Sequence, residues 1–200
     1  MMHVLPVVAS AMSLFSAVSG LALAKLDDGH NFDLFAYGAG LGGIQLCAKN
    51  GAAYLVDTSK VDLVKAGAEP VRFTKQGDVW LASTNGTSSP KLDMAQLYVP
   101  RPNSDSKAIG FLPLNATAGQ VDEAETKGFS FYGKLALHID QASGALQTAF
   151  YAQSTNQEGV KALVWNVTDS NGAQNAQIEL RSTPPSNDTA PAPPATPAPL

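Results

Sequence analysis

Apolar and polar residues along the middle of the chain alternate in short runs, and no stretch keeps a 3.6-residue apolar repeat for three turns. Runs of this kind, ended by glycine, asparagine or aspartate, fit β-strands at 31–37, 44–48, 53–57, 71–74, 79–83, 95–99, 109–113, 129–139, 146–152, 162–167 and 177–181. In the first, Phe32, Leu34 and Ala36 alternate with Asp33, Phe35 and Tyr37, so aromatics fall on both faces and the strand is expected to be central. At 129–139 the residues Phe129, Phe131, Leu135, Leu137 and Ile139 share one parity, with His138 in the other, which reads as one long strand with a core face and a mixed face. Turns are expected at Asn50-Gly51, Gln76-Gly77-Asp78, 140–144 and Asn171-Gly172. Short helices fit only 60–68 and 122–127. The expected class is all-β: an antiparallel β-sandwich or barrel of about ten short strands. A faint similarity between 31–57 and 129–167 keeps a β-trefoil as the alternative.

The two ends change the picture from a bare domain to an exported one. Residues 4–24 carry no charge and finish in Ala22-Leu23-Ala24, the small-x-small pattern that signal peptidase cuts, so a signal peptide is expected at 1–24 and a mature start at Lys25. At the other end seven prolines fall in 184–200, interspersed with Ser186, Thr189 and Thr196. That segment reads as a disordered, solvated Pro/Thr-rich tail, leaving 25–183 as a single β-rich extracellular domain. No later stretch is apolar enough for a membrane span, and the tail lacks the hydrophobic segment of a GPI signal.

The net charge of −4 offers no basic field for phosphates, which argues against nucleic acid and anionic membranes as partners. Sequons at Asn85, Asn115, Asn166 and Asn187 fit N-glycosylation along a secretory route. Cys47 is the only cysteine, so the fold must rest on packing, and its apolar strand setting predicts a buried, inert thiol.

Motifs with chemical content are few. Gly38-Ala-Gly40-Leu-Gly42-Gly43, with Asp57 beyond it, imitates a dinucleotide fingerprint, but 44–52 leaves no room for the helix that would hold the pyrophosphate. The run from Val167 through Asp169 to Gly172 resembles part of an EF-hand loop, yet Val167 and Ile178 stand where carboxylates are needed, and a tight turn is the better reading. Val56-Asp57-Thr58-Ser59 lacks the glycine and the second copy of an aspartic-protease signature. His138 and Asp140, two apart on one strand, could act as a base and its orienting partner, though a surface pair is the simpler reading. Neither a metal site nor a cofactor site emerges, and the sequence leans against an enzyme without deciding it. For sugar stacking, Trp80 beside a turn is the best aromatic, with Gln76 and Asp78 as hydrogen-bonding neighbours, while Trp165 is expected in the core.

Phe32-Asp-Leu-Phe-Ala-Tyr-Gly38, Ala162-Leu-Val-Trp-Asn166 and Ile178-Glu-Leu-Arg-Ser182 resemble small secreted or surface proteins of filamentous fungi, which are largely uncharacterised. The resemblance implies a secreted, cell-wall or host-exposed location and carries no catalytic residues. The leading expectation is thus a non-catalytic extracellular protein at the cell wall or surface, with cell-wall polysaccharide or a host surface as partner. A carbohydrate-binding, lectin-like module is the alternative, and a hydrolase built on His138 and Asp140 the third.

Overall fold

In a computed structural model of the chain, residues 28–38, 40–86, 91–167 and 174–186 are described. The expected leader, Asn187, the calcium-like turn beyond Val167 and nearly all of the tail lie outside them. The described chain is all-β with two short helices, and its strands run in three consecutive units of like order. The first contains β1 (Asn31–Phe32), β2 (Phe35–Gly38), β3 (Leu41–Lys49), β4 (Ala52–Val56), α1 (Leu63–Ala66), β5 (Glu69–Pro70) and β6 (Arg72–Gln76). The second contains β7 (Val79–Ser83), β8 (Ala95–Pro100), β9 (Gly110–Leu112), α2 (Ala118–Glu123), β10 (Ala124–Glu125) and β11 (Phe129–Tyr132). The third contains β12 (Leu135–Ile139), β13 (Leu146–Gln147), β14 (Phe150–Ser154), β15 (Val160–Trp165), β16 (Asn175–Gln177) and β17 (Glu179–Arg181).

Pairing repeats from unit to unit. The opening strand pairs with the next in β2–β3, β7–β8 and β12–β13. A hairpin follows in β3–β4, β8–β9 and β14–β15. The chain then returns along the hairpin in β3–β5, β8–β10 and β14–β16, where Cys47, Pro100 and Gln153 take equivalent places opposite Pro70, Ala124 and Asn175. Successive units join through β6–β7, β11–β12 and β17–β2. The three hairpins meet one another at Val56↔Val160, Ala52↔Gly110 and Ala108↔Val164. Three crossing hydrogen bonds tie that triangle, from Asp57 N to Gly159 O, Trp165 N to Lys107 O and Phe111 N to Gly51 O, each 2.8 Å.

This pseudo-threefold order of a barrel and three capping hairpins is the β-trefoil arrangement, so the strands do not split into the two facing sheets of a sandwich. The barrel ladder is not closed. Between β7 and β11 a strand pairing is replaced by Phe129 N donating to Asp78 O at 3.0 Å and Gly128 N donating to the Asp78 carboxylate at 3.2 Å.

The core explains why the barrel holds without a disulfide. Phe32, Phe73, Trp80, Phe129 and Phe131 are all buried, and Trp80 stacks on Phe131 at 4.6 Å and Phe129 at 5.2 Å while meeting Phe32 edge-on at 4.9 Å. Each such ring buries about 150–250 Å² of largely apolar surface. Cys47 is buried and unpaired, as its strand pattern predicts.

The strands expected at 31–37 and 146–152 each divide in two, into β1 with β2 and β13 with β14, and two further expectations from the pattern need correction. Residues 129–139 are not one strand: Gly133, at φ 61, turns the chain so that Tyr132 faces Leu135 across a hairpin, and Phe129 pairs with His138. The turn breaks the parity, and the buried positions become Phe129, Phe131, Ala136, Leu137 and His138. The second helix lies at Ala118–Glu123 rather than at 122–127, because Ala124 and Glu125 are drawn into the return strand against β8. The first helix falls inside 60–68, started by Asp62, whose carboxylate accepts from Val64 N at 2.8 Å, and ended by Gly67 at φ 64. Asn50 and Gly51, at φ 52 and 77, form the tight turn their sequence predicts.

Candidate functional site

Trp80 is in no position to stack on a sugar: it is 0% exposed at the centre of the aromatic cluster, and its indole Nε1 has no hydrogen-bond partner. The turn beside it suggests a surface site, but β7 is a wall strand paired with β6 and β8, and Trp80 turns into the core, where it stacks on Phe131. Asp78 and Gln76 are exposed, yet the Asp78 carboxylate is engaged by Gly128 N at the barrel seam. These three residues therefore form no binding surface together.

His138 and Asp140 also part company. His138 is 2% exposed, held edge-on between Phe129 at 5.3 Å and Trp165 at 5.4 Å. Its Nε2 lies 2.9 Å from the Lys127 carbonyl, which can only accept, so the proton sits on Nε2 and Nδ1 carries a buried lone pair with no partner. Burial holds its pKa below the usual 6.5, against the opposing pull of Glu125, the Lys127 carbonyl and Asp140. Asp140 instead serves its own turn, its Oδ1 accepting from Ser143 N at 2.7 Å, Ser143 Oγ at 2.8 Å and Ala142 N at 3.0 Å. Those bonds, led by the Ser143 backbone, hold its carboxyl below the usual 3.8. The nearest carboxylate oxygen to the imidazole belongs to Glu125, 4.0 Å from Nε2.

Both residues nevertheless border one cleft of about 250 Å³, together with Arg101, Lys107, Gln147 and Asn166. Its walls come from the β8–β9 connection, the β12–β13 turn and the end of β15. Glu125, Arg101 and Gln147 carry no local signal of their own. Only the pairing of β10 with β8 and of β13 with β12 brings them beside His138.

The glycine-rich run finds a different use from the one its motif imitates. Gly40 lies at the turn between β2 and β3 and Gly42 and Gly43 at the start of β3, and with Asp57 and Ser59 they border a hollow of about 400 Å³. An adjoining hollow of about 360 Å³ shares Gly40, Ile44 and Asp57 and extends to Ser154, Glu158 and Lys161. Asp57 Oδ1 accepts from Ser59 Oγ at 2.6 Å and Ser59 N at 3.1 Å, contacts that lower its pKa, while Lys60 Nζ stands 3.8 Å from Oδ2. Cys47 borders the first hollow from beneath, and burial pushes its thiol up to about 12, so it is no nucleophile near neutrality.

Among the described residues, no group of three histidine, cysteine, aspartate or glutamate side chains is placed to hold a metal ion. No described helix is long and apolar enough to cross a membrane. The sequon residues Asn85, Asn115 and Asn166 are all exposed, and Asn166, at φ 45, turns outward where the buried Trp165 turns in. Comparison with protein-family models, with curated proteins and with solved structures gives no match, so what the chain does must be argued from this geometry alone.

Proposed function

We propose that this is a secreted, N-glycosylated, non-catalytic protein that acts at a cell wall or cell surface. The observation that carries the reading is the exposure of all three described sequon asparagines, each outside the barrel core on a strand end or a connection. An oligosaccharyl group needs that exposure, and Asn166 attains it through a left-handed backbone that asparagine tolerates better than most residues. The non-catalytic part is supported by the occupied state of the candidate acid–base pair: His138 Nε2 is bound to a carbonyl, and the Asp140 carboxylate is spent on its turn. The resemblance to fungal surface proteins points to the same location.

Expression in a secreting fungal host tests the reading. The expected product is in the medium, begins at Lys25, and loses mass in steps as Asn85, Asn115 and Asn166 are changed one at a time to Gln. A full-length, unglycosylated chain retained in the cytosol would overturn it.

A further inference from the structure

The pseudo-threefold relation of the hairpins places two of the hollows at equivalent sites. Asp57 N donates to Gly159 O at the base of one, and Trp165 N donates to Lys107 O at the base of the other, so Asp57 matches Trp165 and Gly159 matches Lys107. One hollow of about 360 Å³ lies between the β2–β3 turn, the segment after β4 and the β14–β15 connection. The other, about 250 Å³, lies between the β12–β13 turn, the end of β15 and the β8–β9 connection. These are the same three parts taken from units shifted by one. At the third position the corresponding connection is only the two-residue turn Asn50-Gly51, too short to build a wall.

The two hollows also share their chemistry. Asp57 and Glu158 face Lys60 and Lys161 in the first, and Glu125 and Asp140 face Arg101 and Lys107 in the second, with His138 neutral. Each thus holds two negative and two positive groups. The cations are already engaged locally: Lys161 Nζ with Ser154 Oγ at 3.4 Å, Lys107 Nζ with the carbonyls of Pro102 and Ser104 at 3.1 Å, and Arg101 Nε with Ala124 O at 3.3 Å. A charged ligand would have to break such contacts and would meet both signs. A neutral ligand rich in hydroxyls, which donate and accept at once, fits both, with apolar surface from Leu55 and Val160 beneath one and Trp165 beneath the other.

From this we infer that the protein is bivalent for neutral polysaccharide, binding one sugar segment in each of the two related hollows. The inference rests on the extracellular reading for its setting and extends it to a ligand class. Two sites a third of a turn apart on one barrel suit a repeating polymer, whose second contact is made at high effective concentration.

The test uses secreted protein with enzymatically trimmed N-glycans, since Asn166 stands on the rim of the second hollow. Sedimentation with insoluble β-1,3-glucan, mannan and chitin identifies a bound polymer, and calorimetry with a short oligosaccharide of that polymer is expected to give two sites per chain. Ser154→Arg and Gln147→Arg each fill one hollow from a surface strand position. Either alone should leave one oligosaccharide site and lower retention on the polymer at least about tenfold through lost bivalency, and the pair together should abolish both. No sedimentation with any of the three polymers overturns the inference, as does a single site in the unblocked protein. So does capture by a charged polymer alone, or sedimentation of a double variant whose melting temperature is unchanged. Protein that is secreted and glycosylated yet binds no polymer defeats this inference alone. Cytosolic, unglycosylated protein that binds at two sites defeats only the extracellular reading.

Discussion

Trp80 and His138 each sit beside a turn, in sequence contexts that suit a surface residue, and both are interior. For Trp80 the consequence is a large stability role: truncating a core aromatic typically costs about 3–5 kcal/mol, and Trp80 contacts Phe32, Phe129 and Phe131. Urea unfolding of Trp80→Ala should show that loss, and Trp165→Ala a comparable one because Trp165 packs on Phe150 at 4.9 Å and His138 at 5.4 Å. Trp80→Phe should lose less, since it dispenses with an indole N–H that has no partner. A Trp80→Ala protein as stable as the parent would contradict the packing.

His138 carries a pH dependence whose sign follows from its burial. In the unfolded chain the ring takes a proton near 6.5, whereas in the fold its pKa is depressed. Below that pH the unfolded state binds more protons, so the His138 contribution is fully present above 6.5 and is lost as pH falls toward the folded-state value. The urea midpoint should therefore be lower at about pH 5 than at about pH 7.5, and His138→Gln, which keeps a donor for the Lys127 carbonyl, should narrow the difference. An undiminished difference in the variant would assign the effect to another group.

Individual strands were readable because each depends on its own alternation and on nearby glycine or asparagine. The β6–β7 hairpin around Gly77 and the β3–β4 hairpin around Asn50-Gly51 follow that rule. Where the same alternation continues through a turn it misleads, as at Gly133, since a polar residue facing solvent and one in a turn look alike in a string of letters. Gly43 shows a constraint that only neighbours impose. At φ 93, a Cβ there would stand 2.8 Å from both Pro185 Cβ and Tyr37 Oη, and Tyr37 Oη donates to Thr183 O at 2.8 Å. The root of the proline tail is thus packed on β2 and β3, beyond the domain edge expected at 183. Gly43→Ala should destabilise by about 1–3 kcal/mol through backbone strain and the displaced Pro185. Differential scanning calorimetry checks this, with Gly40→Ala, where φ is also positive but no atom lies within 4 Å, separating strain from contact.

Across the molecule the three units exchange strands: β6 pairs with β7, β11 with β12, and β17 returns to β2. No unit can complete its share of the barrel without the others, so unfolding should be one cooperative event. Tryptophan fluorescence, circular dichroism and Cys47 alkylation report on separate places and should give coincident transitions in denaturant. Because the Cys47 thiol is buried and pushed up to about 12, labelling should be slow before that transition and fast after it. An early rise in labelling would show that the first unit opens alone.

The all-β class, most strand positions, the buried cysteine and the core place of Trp165 were legible in the chain, because alternation and turn residues act over a few neighbours. The threefold pairing left only the faint similarity between 31–57 and 129–167 that kept a β-trefoil as the alternative, since strand partners such as β12 and β17 lie far apart in sequence and a ladder leaves little mark beyond a general apolar alternation. For the same reason Trp80 could not be told from a surface aromatic: its burial depends on Phe32, which arrives from another unit, and on Phe131, far along the chain. The two related hollows exist only after connections from different units meet, and so belong wholly to the tertiary structure.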